Sequence, residues 1–374
     1  MTLVLLLAGC ANPAANVLLA KPSSPTASSQ VAGSHQIFIA TTRAQSANSN
    51  EVFSGERAPQ PSYAKVDISV PAAHRPGRIE RRPGRVGDPA RYFTATKVSV
   101  FGRSAYQKAL RADLAARDGR ALVFVHGYNN GFDSAVYRMT QIVHDAGYRG
   151  TPVLFTWASR GRTLDYVYDT NSATVARDAL EDTLRLLAAS GAKRIDIIGH
   201  SMGTWTTMEA LRQLAMTGDA KLGGRLGDVI FASPDIDVDV FKAQMRRYGK
   251  PSRPFALLLS EDDRALRLAM RIAGDTPRVG DYRNVGELAE LGVTVVDVSQ
   301  IPGDRLNHIK FAENPMLIKL IGDSLNDESG NRPSERDMTA RVDELSRNFG
   351  STLGSAAEII ITTPVEVLRV VVGR

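Results

Sequence analysis

With 43% hydrophobic and 23% charged residues over 374 positions, the chain has an ordinary globular composition, which excludes disorder throughout, a collagen-like rod and a polytopic membrane protein. Lys and Arg exceed Asp and Glu by 46 to 40, a net charge of +6 that favours anionic surfaces without specifying one. The single cysteine excludes intrachain disulfides and thiolate metal clusters.

That cysteine closes the first predicted element. Leu3 to Ala8 is an apolar run ending in Leu7-Ala8-Gly9-Cys10, with small residues before the cysteine as at a signal-peptide cleavage site. The segment resembles the lipobox of bacterial lipoproteins, in which cleavage leaves Cys10 as a lipidated N-terminus. The alternative is a chance apolar start, since neither Lys nor Arg precedes Cys10. Asn12 and Pro13 break the run well short of the about 20 residues a spanning helix needs. Lys21 to Ser34, rich in Pro and Ser, has the composition of a flexible tether, so residues 1–34 are expected to be signal and tether, with order beginning near His35.

Short strands are expected at Ile37 to Ala40, Ala64 to Val70 and Val98 to Phe101, an N-terminal strand extension of the main domain. Between them His74 to Asp88 carries Arg75, Arg78, Arg81, Arg82 and Arg85 among Pro and Gly; a solvated insertion is the simpler reading, an anionic lipid or phosphate site the alternative. From Arg120 to about Asp323, β-rich apolar runs alternate with helical stretches, predicting an α/β fold with a mostly parallel central sheet flanked by helices. The strands are Ala121 to Val125, Val153 to Thr156, Arg194 to Ile198, Asp228 to Ala232, Phe255 to Leu259 and Val293 to Val298. The helices are Asp133 to Ala146, Ala173 to Ala189, Met202 to Ala215, Val238 to Tyr248, Arg264 to Ala273 and Asn314 to Asp323. Beyond this domain, set at residues 35–325, the remainder to residue 374 is expected to be a helical C-terminal tail. Ser334 to Asp337 looks like a capping box before Met338, Val342, Leu345 and Phe349. Thr363-Pro364-Val365-Glu366 looks like a second, with Pro at the first helical position before Val367, Leu368, Val370 and Val371.

In such sheets chemistry is sought just after the strands' carboxyl ends. After the strand ending at Ile198 comes Gly199-His200-Ser201-Met202-Gly203, the G-x-S-x-G elbow, whose setting between strand and helix is the one the motif requires. A serine needs a base, and the base an acid to fix its tautomer. Of six histidines, only His308 lies downstream of the elbow, in the loop after the last strand. Ser260-Glu261-Asp262-Asp263 offers three adjacent carboxylates after the strand Phe255 to Leu259; Asp263 ranks first, the others being suited to capping the next helix. Asp235 and Asp237 form a competing acid site one strand earlier. Val125-His126-Gly127-Tyr128-Asn129 supplies a strand entering a tight turn, so the amides of Tyr128 and Met202 are the expected oxyanion donors.

Together, the Phe-Val-His-Gly-Tyr-Asn turn, Phe155 to Gly161 leading to Tyr166 and Asp169, the elbow, Ala232 to Asp237 and Ser260 to Leu266 resemble the bacterial α/β-hydrolase family of unknown function numbered 900 (DUF900). Ala40-Thr41-Thr42-Arg43 and Ser69-Val70-Pro71 leading to His74 are similar to its N-terminal pattern. The resemblance covers about residues 35 to 325 and implies the α/β-hydrolase fold, a serine esterase or lipase-like activity, and frequent export. It also supports Asp263, because the pattern has an aspartate directly before Arg-Ala-Leu. Asn307, where a small residue is expected, and Ile309 depart from it.

The expected function is therefore hydrolysis of a small-molecule or lipid carboxylic ester by Ser201, His308 and Asp263 through an acyl-enzyme. A non-catalytic envelope binding module on the same fold, or a thioesterase or peptidase with the same residues, are the alternatives. Trp157, Tyr166 and Tyr168 are candidates for an apolar acyl pocket, core packing being the other reading; the loop Gly274 to Gly286 covers the site or merely connects elements. No phosphate-cradling glycine motif, metal-ligand spacing or nucleic-acid module is present, so neither cofactor, metal nor nucleic-acid partner is expected. The lipobox predicts an exported, membrane-anchored lipoprotein facing the periplasm. Cys10→Ser should then move the protein from the membrane to the soluble fraction; membrane association that persists would point to residues Ile359 to Val372.

Overall fold

The computed structural model describes residue 18 and residues 30–48, 51–82, 88–303, 305–327 and 357–372. By internal contacts the chain divides into two units, Met1–His144 with Gly150–Ile195, and Asp145–Arg149 with Asp196–Arg374.

In the first unit β1 (Val31–Gln45), β2 (Phe53–Pro71) and β3 (Thr94–Phe101) form an antiparallel meander. Helix α1 (Arg103–Ala116) follows, then β4 (Arg120–Val125), α2 (Phe132–Asp145) and β5 (Thr151–Thr156). Strand β5 lies parallel to β4 on one side and to β1 on the other, giving the order β4-β5-β1-β2-β3. Every residue of β5 and all but the first of β4 are buried, which is why both read as unbroken apolar runs rather than alternating ones. Helices α3 (Tyr166–Val175) and α4 (Arg177–Ala189) complete the unit.

Strand β6 (Arg194–His200) leads into the second unit, followed by α5 (Met202–Met216), β7 (Leu226–Ala232), α6 (Val238–Tyr248), β8 (Phe255–Leu259), α7 (Arg264–Ile272), α8 (Val285–Glu290) and β9 (Val293–Asp297). Then come α9 (Lys310–Glu313) and α10 (Pro315–Asn326). Strands β7, β8 and β9 pair in parallel, as alternating strands and helices require. Three helices start where an acid or amide side chain caps free amides: Asp237 at α6, Asp263 at α7 and Asn314 at α10, the last with Pro315 at the first helical position.

Several expectations are corrected. Strand β1 starts at Val31, inside the expected tether, with Gly33 and Ser34 already paired to Val70 and Ser69. The single helix expected over Ala173 to Ala189 is two, parted at Ala176 (φ −76°, ψ −9°), and the first begins at Tyr166. Helix α1 was not expected: its N-cap, Gly102, makes no side-chain cap, although Tyr106, Leu110 and Leu114 bury one face at helical spacing.

The largest correction is the C-terminal tail. Where a helix was expected over Val367 to Val371, the chain forms a hairpin of β10 (Ala357–Thr362) and β11 (Val367–Val372), and β10 adds antiparallel to β9. The Thr363 hydroxyl does accept from the amides of Val365 (3.3 Å) and Glu366 (3.1 Å), as in a helix cap, but Thr363 N also donates to Glu366 O at 2.9 Å and closes a turn. Both arms are rich in β-branched residues, and the hairpin covers the otherwise open edge of β9. Ile359, Ile361 and Val370 pack into a core with Val298, Ile301, Met316 and Leu317. The other expected tail helix, Met338 to Phe349, lies outside the described residues, as does Cys10.

Because Ile361 is 2% exposed within that core, Ile361→Ala should lower unfolding stability by about 2–5 kcal/mol in urea titrations, an effect absent if the hairpin adds nothing to the unit.

Candidate active site

The turn from β6 into α5 holds Ser201 at φ 53° and ψ −124°, a left-handed conformation that costs a non-glycine residue energy and persists only where the surroundings impose it. Here the Ser201 amide donates to Ala232 O (2.9 Å), and the Ser201 carbonyl accepts from Thr204 N (3.0 Å) and Asp235 N (3.3 Å). A Cβ on Gly199 would come within 3.1 Å of Thr204 Cα and Thr207 Oγ1, so the first glycine of the motif lets helix and strand approach closely. Ser201 is only 4% exposed. Met202 opens α5, so its amide is among the four that lack an intrahelical acceptor.

After β9, His308 donates or accepts through Nδ1 at 2.7 Å from Asp263 Oδ2. Asp263 is fully buried, and its other oxygen, Oδ1, accepts from the amides of Ala265 (2.9 Å) and Leu266 (3.0 Å). One carboxylate thus both caps α7 and meets the histidine, whereas capping was expected of its neighbours. Asp262 instead accepts from Asn307 Nδ2 and Lys310 Nζ, both at 2.7 Å, and also from the Ser260 hydroxyl. Lys310, 2% exposed, donates further to Val298 O (3.1 Å) and Ser299 O (3.0 Å). Asn307 sits at φ 57°, a region asparagine tolerates better than most residues. The Ser233 hydroxyl donates to His308 O at 3.0 Å, and the His200 and His308 rings lie 4.8 Å apart.

The competing carboxylates have other partners. Asp235 lies 3.3 Å from Arg278 Nε, both side chains almost wholly buried, and Asp237 caps α6. Arg278 belongs to the loop Gly274 to Gly286, which is more than a connection: its Val279 and Gly280 amides donate to Ile236 O and Pro234 O, and Gly280 O accepts from Ser260 N. Asp281 in the same loop is pushed above the usual carboxylate range by burial, then by the charge of Asp263.

In the first unit the loop after β4 carries Tyr128, held by its hydroxyl to Thr163 O. Beneath it is a buried polar network. Arg43, fully buried, donates to Asn130 O (2.6 Å), Ser159 O (2.7 Å), Thr156 Oγ1 (2.8 Å) and Ser54 O (3.2 Å). Burial lowers its pKa to about 10, opposed by the nearby Asp169 carboxylate, so it stays charged at neutral pH. Asp169 accepts from Ser159 Oγ (2.6 Å) and from the amides of Asn129 and Arg160 (both 3.1 Å), while burial raises its pKa. Asn129, at φ 59° and 9% exposed, leaves both side-chain polar atoms without a hydrogen-bond partner among the described residues. His126 bridges Gly127 O and Thr156 Oγ1; burial and the Arg43 charge lower its pKa to about 3, so it is a neutral structural ring.

Of the three pocket candidates, Trp157 packs in the core, 0% exposed, stacked on His126 and donating to His126 O at 2.9 Å. Tyr166 is half-buried against Tyr128, and Tyr168 lies between the guanidinium groups of Arg57 (4.3 Å) and Arg160 (3.7 Å). In the arginine-rich segment Arg81 folds inward on Asp133 and Ser134, whereas Arg75, Arg78 and Arg82 are exposed. Sequence reasoning missed Arg43, Ser233 and Lys310 as supports. Arg43 and Ser233 stood inside quoted motifs, but nothing local distinguishes them from surface residues.

Comparison with protein families matches residues 102–324 to the family described as "Alpha/beta hydrolase of unknown function (DUF900)". That is more than half of the chain, and the protein belongs to this family; its fold is that of an α/β-hydrolase and its general class is hydrolase. No curated protein matches the chain.

His126 gives a pH test. Its pKa is lowered from 6.5 to about 3 on folding, so between those values the unfolded chain binds the extra proton and stability falls as pH falls. His126→Gln should remove up to about 1.4 kcal/mol per pH unit from the acid limb of unfolding free energy measured in urea from pH 7 to 4; an unchanged slope would mean the ring titrates normally.

Proposed function

We propose that the protein is a serine hydrolase of carboxylic esters. The observation that carries this reading is the 2.7 Å contact of His308 with the fully buried Asp263, in the loops that follow β9 and β8 of the unit whose β6–α5 turn holds Ser201 in a strained conformation. In the proposed cycle His308 takes the Ser201 proton as the serine oxygen attacks the acyl carbon, then delivers it to the leaving alkoxide. Asp263, already anchored by two helix amides, holds the ring in one tautomer and offsets the charge of the imidazolium. The amide of Met202, at the start of α5, is a proposed donor to the oxyanion, and water then releases the acyl group while His308 repeats its role. Substrates are small-molecule or lipid esters, and the Leu-Ala-Gly-Cys10 segment supports an exported enzyme anchored at the periplasmic side of a membrane. Among the described residues no helix is long and apolar enough to cross a membrane.

Purified protein should label with a fluorophosphonate probe and turn over a series of acyl esters, and Ser201→Ala should abolish both while its melting temperature stays near that of the parent. Asp263→Asn should cost far more activity than Asp262→Asn or Asp235→Asn, on the order of 10⁴-fold where an amide imposes the wrong histidine tautomer. Turnover retained by the serine variant overturns the proposal; Asp235→Asn as the worst folded variant moves the acid one strand earlier.

A further inference from the structure

Residues 72–93, which link β2 to β3, hold six arginines against two acids and so carry +4 of the chain's net +6. Both acids are engaged within the segment. Glu80 accepts from the Arg75 amide (3.2 Å) and meets His74 Nδ1 (2.7 Å), and Asp88 accepts from the Ala90 amide (3.0 Å). Arg81 is turned inward, its guanidinium pairing with Asp133 and donating to Ser134 Oγ at 2.9 Å. Arg75, Arg78, Arg82 and Arg91 are instead exposed, and none of the four has an acidic partner among the described residues. The stretch is nonetheless fixed in shape. Turn bonds run from His74 N to Pro71 O and from Arg78 N to Arg75 O, both at 3.0 Å. Phe93 N donates to Glu80 O at 2.8 Å, which brings Arg82 and Arg91, each two residues from that bond, onto the same part of the surface.

Guanidinium groups present their donors in a planar fork that matches phosphate oxygens. Among the described residues of the segment no large apolar side chain is exposed, so a partner would meet charge at its surface and would not be penetrated. We propose that Arg75, Arg78, Arg82 and Arg91 form a basic surface that docks on the phosphate headgroups of an anionic phospholipid bilayer. Charge complementarity is one argument for that occupant, and the point where the chain enters the fold is the other. Ala72 N donates to Gln30 O at 3.0 Å and Val31 pairs with Pro71, so the polypeptide running from Cys10 joins the fold beside this surface. Twenty residues separate Cys10 from Gln30, a reach of at most about 70 Å. An acyl group at Cys10 would therefore hold the arginines near a bilayer at high effective concentration, and a lipid anchor with a basic patch binds more firmly than either alone. The docked orientation rests on the anchored reading proposed above; the preference for anionic lipid does not. Contact through a few charges is reversible, so it orients an anchored protein and does not replace the anchor.

The test uses full-length Cys10→Ser protein, which carries no acyl chain, co-sedimented with vesicles of phosphatidylcholine alone or with about one third phosphatidylglycerol. Expected is binding to the anionic vesicles at low salt, none to the neutral ones, and release at about 0.5 M salt, where the Debye length is only about 4 Å. Each charge near the surface contributes about fivefold, so Arg75→Gln/Arg78→Gln/Arg82→Gln should weaken binding about 100-fold. Arg246→Gln/Arg247→Gln/Arg271→Gln, the same change of net charge at exposed sites of the second unit, should stay within a few-fold of the parent. Equal binding to both vesicles, insensitivity to salt, or equal weakening by the two triple variants overturns the proposal, and the first two of these need no variant to fold. Displacement by inorganic phosphate beyond the effect of matched ionic strength also overturns it, by assigning the arginines to a free phosphate. The anchor is read separately, from the membrane fraction of cells making the parent protein: parent protein found there without vesicle binding by Cys10→Ser fails the basic surface alone, and the reverse pair of results fails the anchor alone.

Discussion

Asp263 meets two demands with the two oxygens of one buried carboxylate. Oδ1 takes the first free amides of α7, and Oδ2 takes His308 Nδ1. Burying a carboxylate is costly unless it is hydrogen-bonded, and three bonds to groups of fixed position offset that cost while leaving the side chain little freedom. The histidine is consequently oriented by a helix terminus rather than by a mobile side chain. The rest of its loop is secured in the same way, through Ser233 on the His308 carbonyl, Asp262 on Asn307, and Lys310 between Asp262 and two backbone carbonyls. Arg278, 3.3 Å from Asp235, gives that carboxylate a buried ion-pair partner of its own.

The first unit uses a related device. Arg43 and Asp169, both fully buried, hold the backbone of Asn129, Asn130 and Ser159 from opposite ends of one network. Removing one member of such a network would strand the other's charge in a low-dielectric interior, which costs far more than the pair contributes when whole. That cost holds the loop containing Tyr128 in one shape. His126 belongs to this scaffold: neutral over the physiological range, it fills a polar gap between Gly127 O and Thr156.

Family membership makes the protein a hydrolase of the α/β class. The proposed ester cleavage draws its nucleophile, base and acid from loops of the second unit.

The strand and helix alternation from Arg120 to Asp323 and the strand-to-helix turn at Ser201 were legible because they rest on local signals: unbroken apolar runs, caps and glycine spacing. Tertiary structure alone decided the rest. That Asp263 rather than Asp262 faces His308 through Oδ2, while Oδ1 of the same carboxylate caps α7, depends on packing among loops distant in sequence. The burial of Arg43 and the convergence of His35, His74 and His144 are likewise products of strand register, which no local pattern encodes. The C-terminal segment shows the reason most plainly. Thr363 caps amides two and three residues ahead whether the chain continues as helix or turns back as a hairpin, so its sequence was ambiguous until the open edge of β9 and the apolar surface of Val298, Ile301 and Met316 selected the extended form.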